Sequence, residues 1–136
     1  MATINAPSLQ DTQYSGDCPL AVAHGYITLV AAAIADKVRL VKLFAGSKIH
    51  EVKMVNAALG TSTTVSLGWE YCDASSGGGA AVLIAAGTVT SSAAVTREGV
   101  FAPITLAKDA YITATVAGGE AAGALNVQVF FEFKGK

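Results

Sequence analysis

The segment from Leu125 to Phe133 constrains the fold most, because apolar and polar residues alternate along nine consecutive positions. One set of alternate positions is entirely apolar: Leu125, Val127, Val129, Phe131 and Phe133. The other set is Asn126, Gln128, Phe130 and Glu132. A period of two residues, with β-branched and aromatic side chains, predicts a β-strand that buries one face and wets the other.

The same alternation recurs along most of the chain. It predicts further strands within residues 38–43, 49–55, 65–71 and 111–117, and shorter or weaker ones within 25–30, 81–89 and 101–106. Gly, Ser and Asp clusters separate these runs at short intervals, as turns do. Only residues 29–37 could form a helical turn, and their neighbours favour strand. About eight strands with frequent turns predict an all-β chain folded as a two-sheet antiparallel β-sandwich.

Residues 1–17 differ from the rest because they are polar and show no sustained period. We interpret them as an extended N-terminal arm, followed by a sandwich domain over residues 18–136. Fully extended, the arm would reach about 55 Å at about 3.3 Å per residue, enough to cross a neighbouring subunit. A frayed terminus is the alternative. The arm residues expected to make contacts are Thr3, Ile4, Pro7, Leu9 and Tyr14.

Composition excludes several classes of protein. The chain has 136 residues, which suits one domain. Charged residues make up 14% and hydrophobic residues 52%, so the signature of a disordered chain is absent. A net charge of -1 argues against a nucleic-acid partner. The most apolar stretch is about half the roughly 20 residues of a membrane-spanning helix, and no secretory signal is visible, so we expect no membrane partner.

The residue types that carry chemistry are scattered. His50 and Glu51 are neighbours, but alternation predicts that adjacent strand residues point to opposite faces. Cys18 and Cys72 are far apart and are expected to be free thiols, although one bridge between them stays possible. Gly77–Gly79 lacks the Lys-Ser/Thr and the helix of a phosphate loop. The sequence therefore predicts no catalytic residue, no metal site, no cofactor and no small-molecule substrate.

Basic residues are concentrated in one segment of the chain. Five of the nine lie there: Lys37, Arg39, Lys42, Lys48 and Lys53. Lys37 and Arg39 share a face of the predicted strand, whereas Lys42 lies on the other face unless the strand is bulged. A solvated outer face and an electrostatic contact with an acidic protein surface both fit this pattern.

Phe130 is an aromatic residue on the polar face of the last strand, beside Glu132. Aromatic side chains in such places are typical of subunit interfaces, although a single exposed Phe is also ordinary. Both interpretations stay open at this point.

Three segments together resemble a known family: Val38–Ile49, Asn56–Gly68 and Ala122–Val129. The family is that of the capsid cement (decoration) proteins of tailed double-stranded DNA phages, podovirus-like. Val38–Ile49, which Asn56–Gly68 follows, resembles its strand, small turn and return strand, and Ala122–Val129 resembles its closing strand. The family is a jelly-roll, and it has no catalytic residues to carry over. Phe44 stands where the family often has Pro.

The resemblance implies a structural protein of the virion. It would be made in the cytoplasm of the host bacterium and would sit on the outer surface of the head, cementing neighbouring major capsid proteins against internal DNA pressure. The implied partners are the major capsid protein and the chain itself, with a homodimer favoured over a trimer. Besides the arm, the contact candidates are Lys37, Arg39, Lys42, Lys48, Phe130 and Glu132.

A different function remains open from the residues. A head-fibre or receptor-binding jelly-roll that recognises a glycan could stack Trp69, Tyr71 or Tyr111 on a sugar ring. Trp69 and Tyr71 follow the inward alternation of their strand, which favours a place in the core. An exposed Trp69 lining a cleft would favour the glycan-binding function.

Overall fold

Ten β-strands and one 3-10 helix build the described part of the chain, which a computed structural model covers over residues 1–10, 20–99 and 101–133. The helix is Pro7–Gln10. The strands are β1 (Thr3–Asn5), β2 (Ala21–Ala32), β3 (Lys37–Leu43), β4 (Ser47–Asn56), β5 (Thr64–Tyr71), β6 (Gly79–Ile84), β7 (Ala94–Glu98), β8 (Ile104–Thr105), β9 (Ala110–Ala117) and β10 (Ala121–Phe133).

The strands form two five-stranded sheets. The first sheet has the order β1-β3-β9-β5-β6, and the second has the order β2-β10-β4-β7, with β8 also paired to β4. All pairings are antiparallel except that of β1 with β3. This confirms the predicted all-β, two-sheet antiparallel sandwich.

The core lies between the sheets and follows the alternation of the strands. In β10, Leu125, Val127, Val129 and Phe131 are buried, as the two-residue period predicts, whereas Phe133, at the end of the strand, is 44% exposed. The largest fully buried side chains include Leu40, Leu43, Ile49, Met54, Leu67 and Ile112. Burying one such side chain contributes about 1.5–3 kcal/mol, so this layer supplies most of the stabilisation that holds the sheets together.

A bulge in β3 decides which face its basic residues occupy. The pairing of β3 with β9 shifts between Arg39 and Val41, and both Leu40 and Val41 are buried. An extra residue in a strand reverses the alternation beyond it. Lys42 therefore lies on the same outer face as Lys37 and Arg39. The sequence pattern allows this placement only if the strand is bulged.

A second bulge corrects the prediction for His50 and Glu51. The partner of β10 in β4 moves from Glu51 to Ile49 between Phe130 and Phe131. Both His50 and Glu51 are half-buried and contact outer-face side chains. The prediction of opposite faces was wrong because strict alternation fails where an extra residue enters the strand.

Strand boundaries differ from the predictions where the sequence signal is weak. Residues 81–89 yield a strand only over Gly79–Ile84, and residues 101–106 only over Ile104–Thr105. The strands Thr3–Asn5 and Ala94–Glu98 were missed, because both are short edge strands with little burial. The strand interpretation of residues 29–37 is correct in part: residues 29–32 complete β2 and Lys37 begins β3, whereas residues 33–36 form the turn between the two strands.

The first ten residues lie against their own chain. β1 pairs with β3, and the Ala6 amide donates to the Arg39 carbonyl at 3.0 Å. The predicted boundary between arm and domain, at residue 17, falls within residues 11–19. These residues, Tyr14 and Cys18 among them, lie outside the described part of the chain. The division of the chain at that point stays a prediction.

Candidate interaction surfaces

The outer face of the first sheet carries a cluster of paired charges. Glu70 of β5 accepts from Lys37 Nζ at 2.5 Å and from Arg39 Nε at 2.9 Å. The Arg39 guanidinium also lies 4.6 Å from the centre of the Tyr111 ring. Partial burial of Glu70 acts to raise its pKa, but the two cations outweigh it, so the pKa of this carboxyl is lowered. The two basic residues are thus neutralised in part by their own chain.

Lys42 also finds its partner within the fold. Its Nζ lies 3.1 Å from Asp109 Oδ2, and the hydrogen bond to this carboxylate raises the pKa of Lys42. Asp109 Oδ1 in turn accepts from the Ala45 amide at 3.0 Å. Along this face, three cations meet two carboxylates (Lys37, Arg39 and Lys42 against Glu70 and Asp109), which leaves one net positive charge. Lys48, by contrast, has no ion pair with any described residue.

An open groove of about 690 Å³ lies at one end of the sandwich. Its lining includes Ala45, Cys72, Asp73, Leu106, Lys108 and Asp109. Lys108 binds Asp73 Oδ2 at 2.8 Å, and this hydrogen bond, with those from Ser75, lowers the pKa of Asp73. Cys72 is a free, half-buried thiol whose pKa is raised by burial. The charged groups of the groove, Asp73, Lys108 and Asp109, are therefore all in ion pairs within the chain.

Trp69 and Tyr71 pack under the glycine-rich loop that precedes β6. Trp69 is only 8% exposed, and its ring meets that of Tyr71 edge-on at 5.0 Å between centres. Gly78 has a φ of +73°, and a Cβ there would lie 2.1 Å from the Trp69 carbonyl oxygen. Only glycine lets the loop approach so closely. The exposed Trp69 that would favour glycan binding is not observed.

The N-terminal segment is held by two polar anchors. The Ala2 amide donates to Asp36 Oδ1 at 2.9 Å and the Ala33 amide to Oδ2 at 3.0 Å, which lowers the pKa of Asp36. Ser8 is fully buried; its hydroxyl donates to the Leu40 carbonyl at 2.7 Å and accepts from the Tyr26 amide at 3.0 Å. Ser8 therefore joins β3 of the first sheet to β2 of the second.

The predicted arm contacts divide by exposure. Thr3 and Pro7 are exposed, whereas Ile4 and Leu9 are half-buried, Ile4 against the core. Thr3 pairs with Lys37 in the ladder of β1 and β3. The structure thus brings Thr3 together with the basic residues of β3, which no sequence pattern indicated.

The outer face of the second sheet has a charged half. Arg97 binds Glu51, with Nε at 2.6 Å from Oε1, and its guanidinium lies 5.9 Å from the Phe130 ring centre. His50 Nε2 lies 3.3 Å from Glu132 Oε2. Phe130 is half-buried among these groups rather than fully exposed. Lys48, Phe130 and Glu132 therefore share this half, on the sheet opposite Lys37, Arg39 and Lys42.

The other half of that face is apolar, and the sequence analysis missed it. Tyr26 and Val30 of β2 and Val95 of β7 are exposed there, by 42%, 83% and 59%. Alternation along β2 could have placed Tyr26 and Val30 on one face. The contribution of Val95 was hidden because β7 was not predicted.

The described residues contain neither a metal-binding cluster nor a membrane-spanning helix. Among residues 1–10, 20–99 and 101–133, no three His, Cys, Asp or Glu side chains are grouped closely enough to hold a metal ion. Within the same ranges no helix has the length and apolar character needed to cross a membrane.

Comparison with known proteins gives matches among solved structures. No family model and no curated protein sequence matches the chain. A chain of the capsid of Ralstonia phage GP4 superposes with a TM-score of 0.76 at 21% identity, covering 98% of this chain and 99% of that one. A chain of the cyanophage Pam1 capsid asymmetric unit gives 0.54 at 20% identity, covering 92% of each chain.

A third solved structure also resembles this chain. A chain of the acidic stable capsid of Helicobacter pylori bacteriophage KHP30 gives a TM-score of 0.58 at 14% identity, covering 87% of this chain and 90% of that one. All three identities are low, so the likeness is one of fold. This chain has the jelly-roll-like sandwich fold of chains found in solved phage capsids.

Proposed function

We propose that this chain is a structural virion protein that binds the outer surface of a phage head and cements neighbouring major capsid proteins against internal DNA pressure. One observation carries the proposal: the fold matches a chain of the GP4 phage capsid over nearly the whole length of both. The role is structural and non-enzymatic, it needs no cofactor, and the partners are the major capsid protein and further copies of this chain.

The construction of the sandwich suits a cement. Most outer-face charges of the first sheet are paired within the chain, so densely packed copies would repel one another little. A single contact can be weak, because a capsid lattice engages many copies at once and raises the effective concentration. The low charge likewise gives no basis for a nucleic-acid or membrane partner.

The edge of the first sheet is the surface we assign to the capsid. β1 is the outermost strand, and among the described residues no strand pairs with its outer side. Such an edge can accept a strand of another protein. Thr3, Lys37, Arg39 and Lys42 border it, with one net positive charge that would favour an acidic capsid surface. Pro7, Leu9 and Tyr14 belong to the same N-terminal segment and are proposed to extend this contact.

Co-sedimentation tests the proposal directly. Heads of the phage that encodes this chain, assembled without it, are mixed with the purified protein and pelleted over a range of salt concentrations. We expect saturable binding at a fixed ratio to the major capsid protein, weakening slightly with salt because only one net charge is left unpaired. Absence of binding at every salt concentration would contradict the proposal.

A pair of variants locates the contact. Lys37→Ala with Lys42→Ala removes two cations from the β1–β3 edge, and Lys53→Ala removes one from the opposite sheet as a control. Circular dichroism first establishes that each variant is folded. Loss of head binding in the double variant, with binding retained in the control, supports the assigned edge; the reverse result would move the capsid contact to the second sheet, where Lys48, Phe130 and Glu132 lie.

A further inference from the structure

The apolar half of the second sheet's outer face forms a continuous surface, which we call the uncharged patch. Its members come from four neighbouring strands and share the absence of any Lys, Arg, Asp or Glu: Tyr26, Thr28, Val30, Val55, Val95, Ala124 and Asn126. The ladders place Tyr26, Asn126, Val55 and Val95 in one row across the sheet. Thr28 and Ala124 form the next row.

The patch leaves apolar surface in water. Val30 is 83% exposed, Val95 59% and Tyr26 42%, and the half-buried Asn126 and Val55 lie between Tyr26 and Val95 in the middle of the sheet. Each exposed Val or Tyr would gain stabilisation if a partner covered it, since burial contributes about 25 cal/mol per Å² of apolar surface. Contiguous exposed apolar patches of this kind mark interaction sites.

We propose that the uncharged patch is the surface through which two copies of this chain dimerise, sheet face against sheet face. In a twofold interface the same patch lies on both sides, so a charge near the axis would face the like charge of the other copy. Among the described residues, the charges of this face lie in the other half, as the pairs Arg97–Glu51 and His50–Glu132 and the cations Lys48 and Lys53. The imidazole of His24 borders the patch, 3.1 Å from Asn126 Oδ1. The patch therefore meets the electrostatic condition for contact with itself.

Shape also favours a second copy over another partner. Tyr26 is the one large aromatic side chain, or knob, of the patch. Ala124, one row away and beside Thr28, is the smallest side chain of the patch and so the position where a knob from a second copy would fit. An isologous interface needs the knob and the hole on the same surface, because each copy must supply both. Tyr is well suited to such an anchor because it adds a large contact area with few rotatable bonds.

The size of the patch sets the strength of the contact. Its seven positions, at about 4.8 Å between strands and about 6.7 Å between rows on one face, cover roughly 230 Å². That is less than a third of the roughly 800 Å² per partner in a standard stable interface. We therefore expect a weak dimer, with a dissociation constant in the micromolar range of about 1–100 µM.

Sedimentation equilibrium from about 0.5 to about 500 µM, a range that brackets the expected constant, tests the dimer. Val95→Lys is the test variant and Val89→Lys the control: the two valines are 59% and 60% exposed, but Val89 bridges to Thr64 of the first sheet. We expect Val95→Lys to weaken dimerisation at least about 10-fold, because each dimer carries the change twice. Val89→Lys should leave it unchanged, and high salt should not dissociate the wild-type dimer.

Backbone amide chemical shifts on dilution provide a second readout that needs no variant. Shifts at Tyr26, Ala124 and Val95 should move together with concentration, whereas those of the first sheet stay fixed. A chain that remains monomeric throughout, or dimerises with shifts elsewhere, overturns the proposal. If instead Val95→Lys abolishes head binding in a monomeric chain, the patch belongs to the capsid contact.

The proposal deepens the self-association part of the proposed function, and its test uses no capsid. A dimer without head binding would contradict the cement role alone. Head binding by a monomer would contradict this inference alone.

Discussion

The two outer faces of the sandwich differ in what covers their side chains. On the first sheet, Glu70 binds Lys37 and Arg39, and the first residues of β6 cover Gly68, whose Cβ position lies 1.7 Å from the Gly79 carbonyl oxygen. On the second sheet, the uncharged patch has no such cover among the described residues.

This difference indicates that the two outer faces of the sandwich have different roles. A face whose groups already have partners in the same chain stabilises the fold and offers mainly an edge and a residual charge to others. A face with exposed apolar side chains gains by association. Substitutions on the first face should therefore change mainly the stability of the fold, and substitutions on the second face mainly its assembly.

The largest expected effect is at Gly68, where the first face is covered by its own chain. Gly68→Ala places a methyl group against the Gly79 carbonyl and forces β5 and β6 apart. We expect the free energy of unfolding to fall by about 3 kcal/mol, the upper end of the overpacking range. The control Gly99→Ala has its nearest contact at 3.8 Å, and urea denaturation of both variants measures the difference. Equal stability of the two would refute the close cover of this face.

Ser8→Ala should have the next largest effect. It leaves the partly buried Tyr26 amide and the buried Leu40 carbonyl without their hydroxyl partner, at a cost of about 1–3 kcal/mol. Thermal unfolding measures the loss, with the exposed Ser76→Ala as control. Hydrogen exchange should accelerate at Tyr26 before the core amides. An unchanged Tyr26 exchange rate would mean that Ser8 does not hold the N-terminal segment to both sheets.

Glu70→Gln tests the paired charges with a smaller change. It removes the carboxylate that Lys37 and Arg39 share, and because these side chains are partly exposed we expect a loss of about 1 kcal/mol. Glu98→Gln, which removes a carboxylate with no ion pair among the described residues, should change stability by less than about 0.5 kcal/mol. Similar urea midpoints for both variants would show that the pairing on the first face contributes little.

The smallest expected effect is on the acid limb of the stability profile, the range in which stability declines as pH falls. The pKa values of Asp36 and Glu70 are lowered in the folded chain, so both carboxylates contribute stability that is present above their ordinary values of about 4 and is lost as pH falls through the lower folded values. Asp36→Asn should therefore flatten the decline of stability below about pH 4. Urea midpoints from neutral to acid pH measure it, and an acid limb as steep as that of the wild type would contradict the prediction.

How far the sequence predicted this protein depends on the range of the interactions involved. The two-residue period of residues 125–133 identified the strand and its buried side chains up to Phe131, because burial of alternate positions is a local property, but Phe133 is exposed. Edge strands such as Ala94–Glu98 gave no such signal, since neither of their faces is fully buried. Missing β7 concealed one corner of the uncharged patch.

The sequence by itself determined the all-β class, most of the strands and the residues of the core. Only the tertiary structure decided the faces of Lys42, His50 and Glu51, because each bulge arises from pairing with a distant strand. The same holds for the ion pairs: Glu70 is 31 residues from Arg39 and meets it only across β9. Alternation is fixed by neighbours along the chain, whereas partners across a sheet are fixed by register, and register depends on the whole fold.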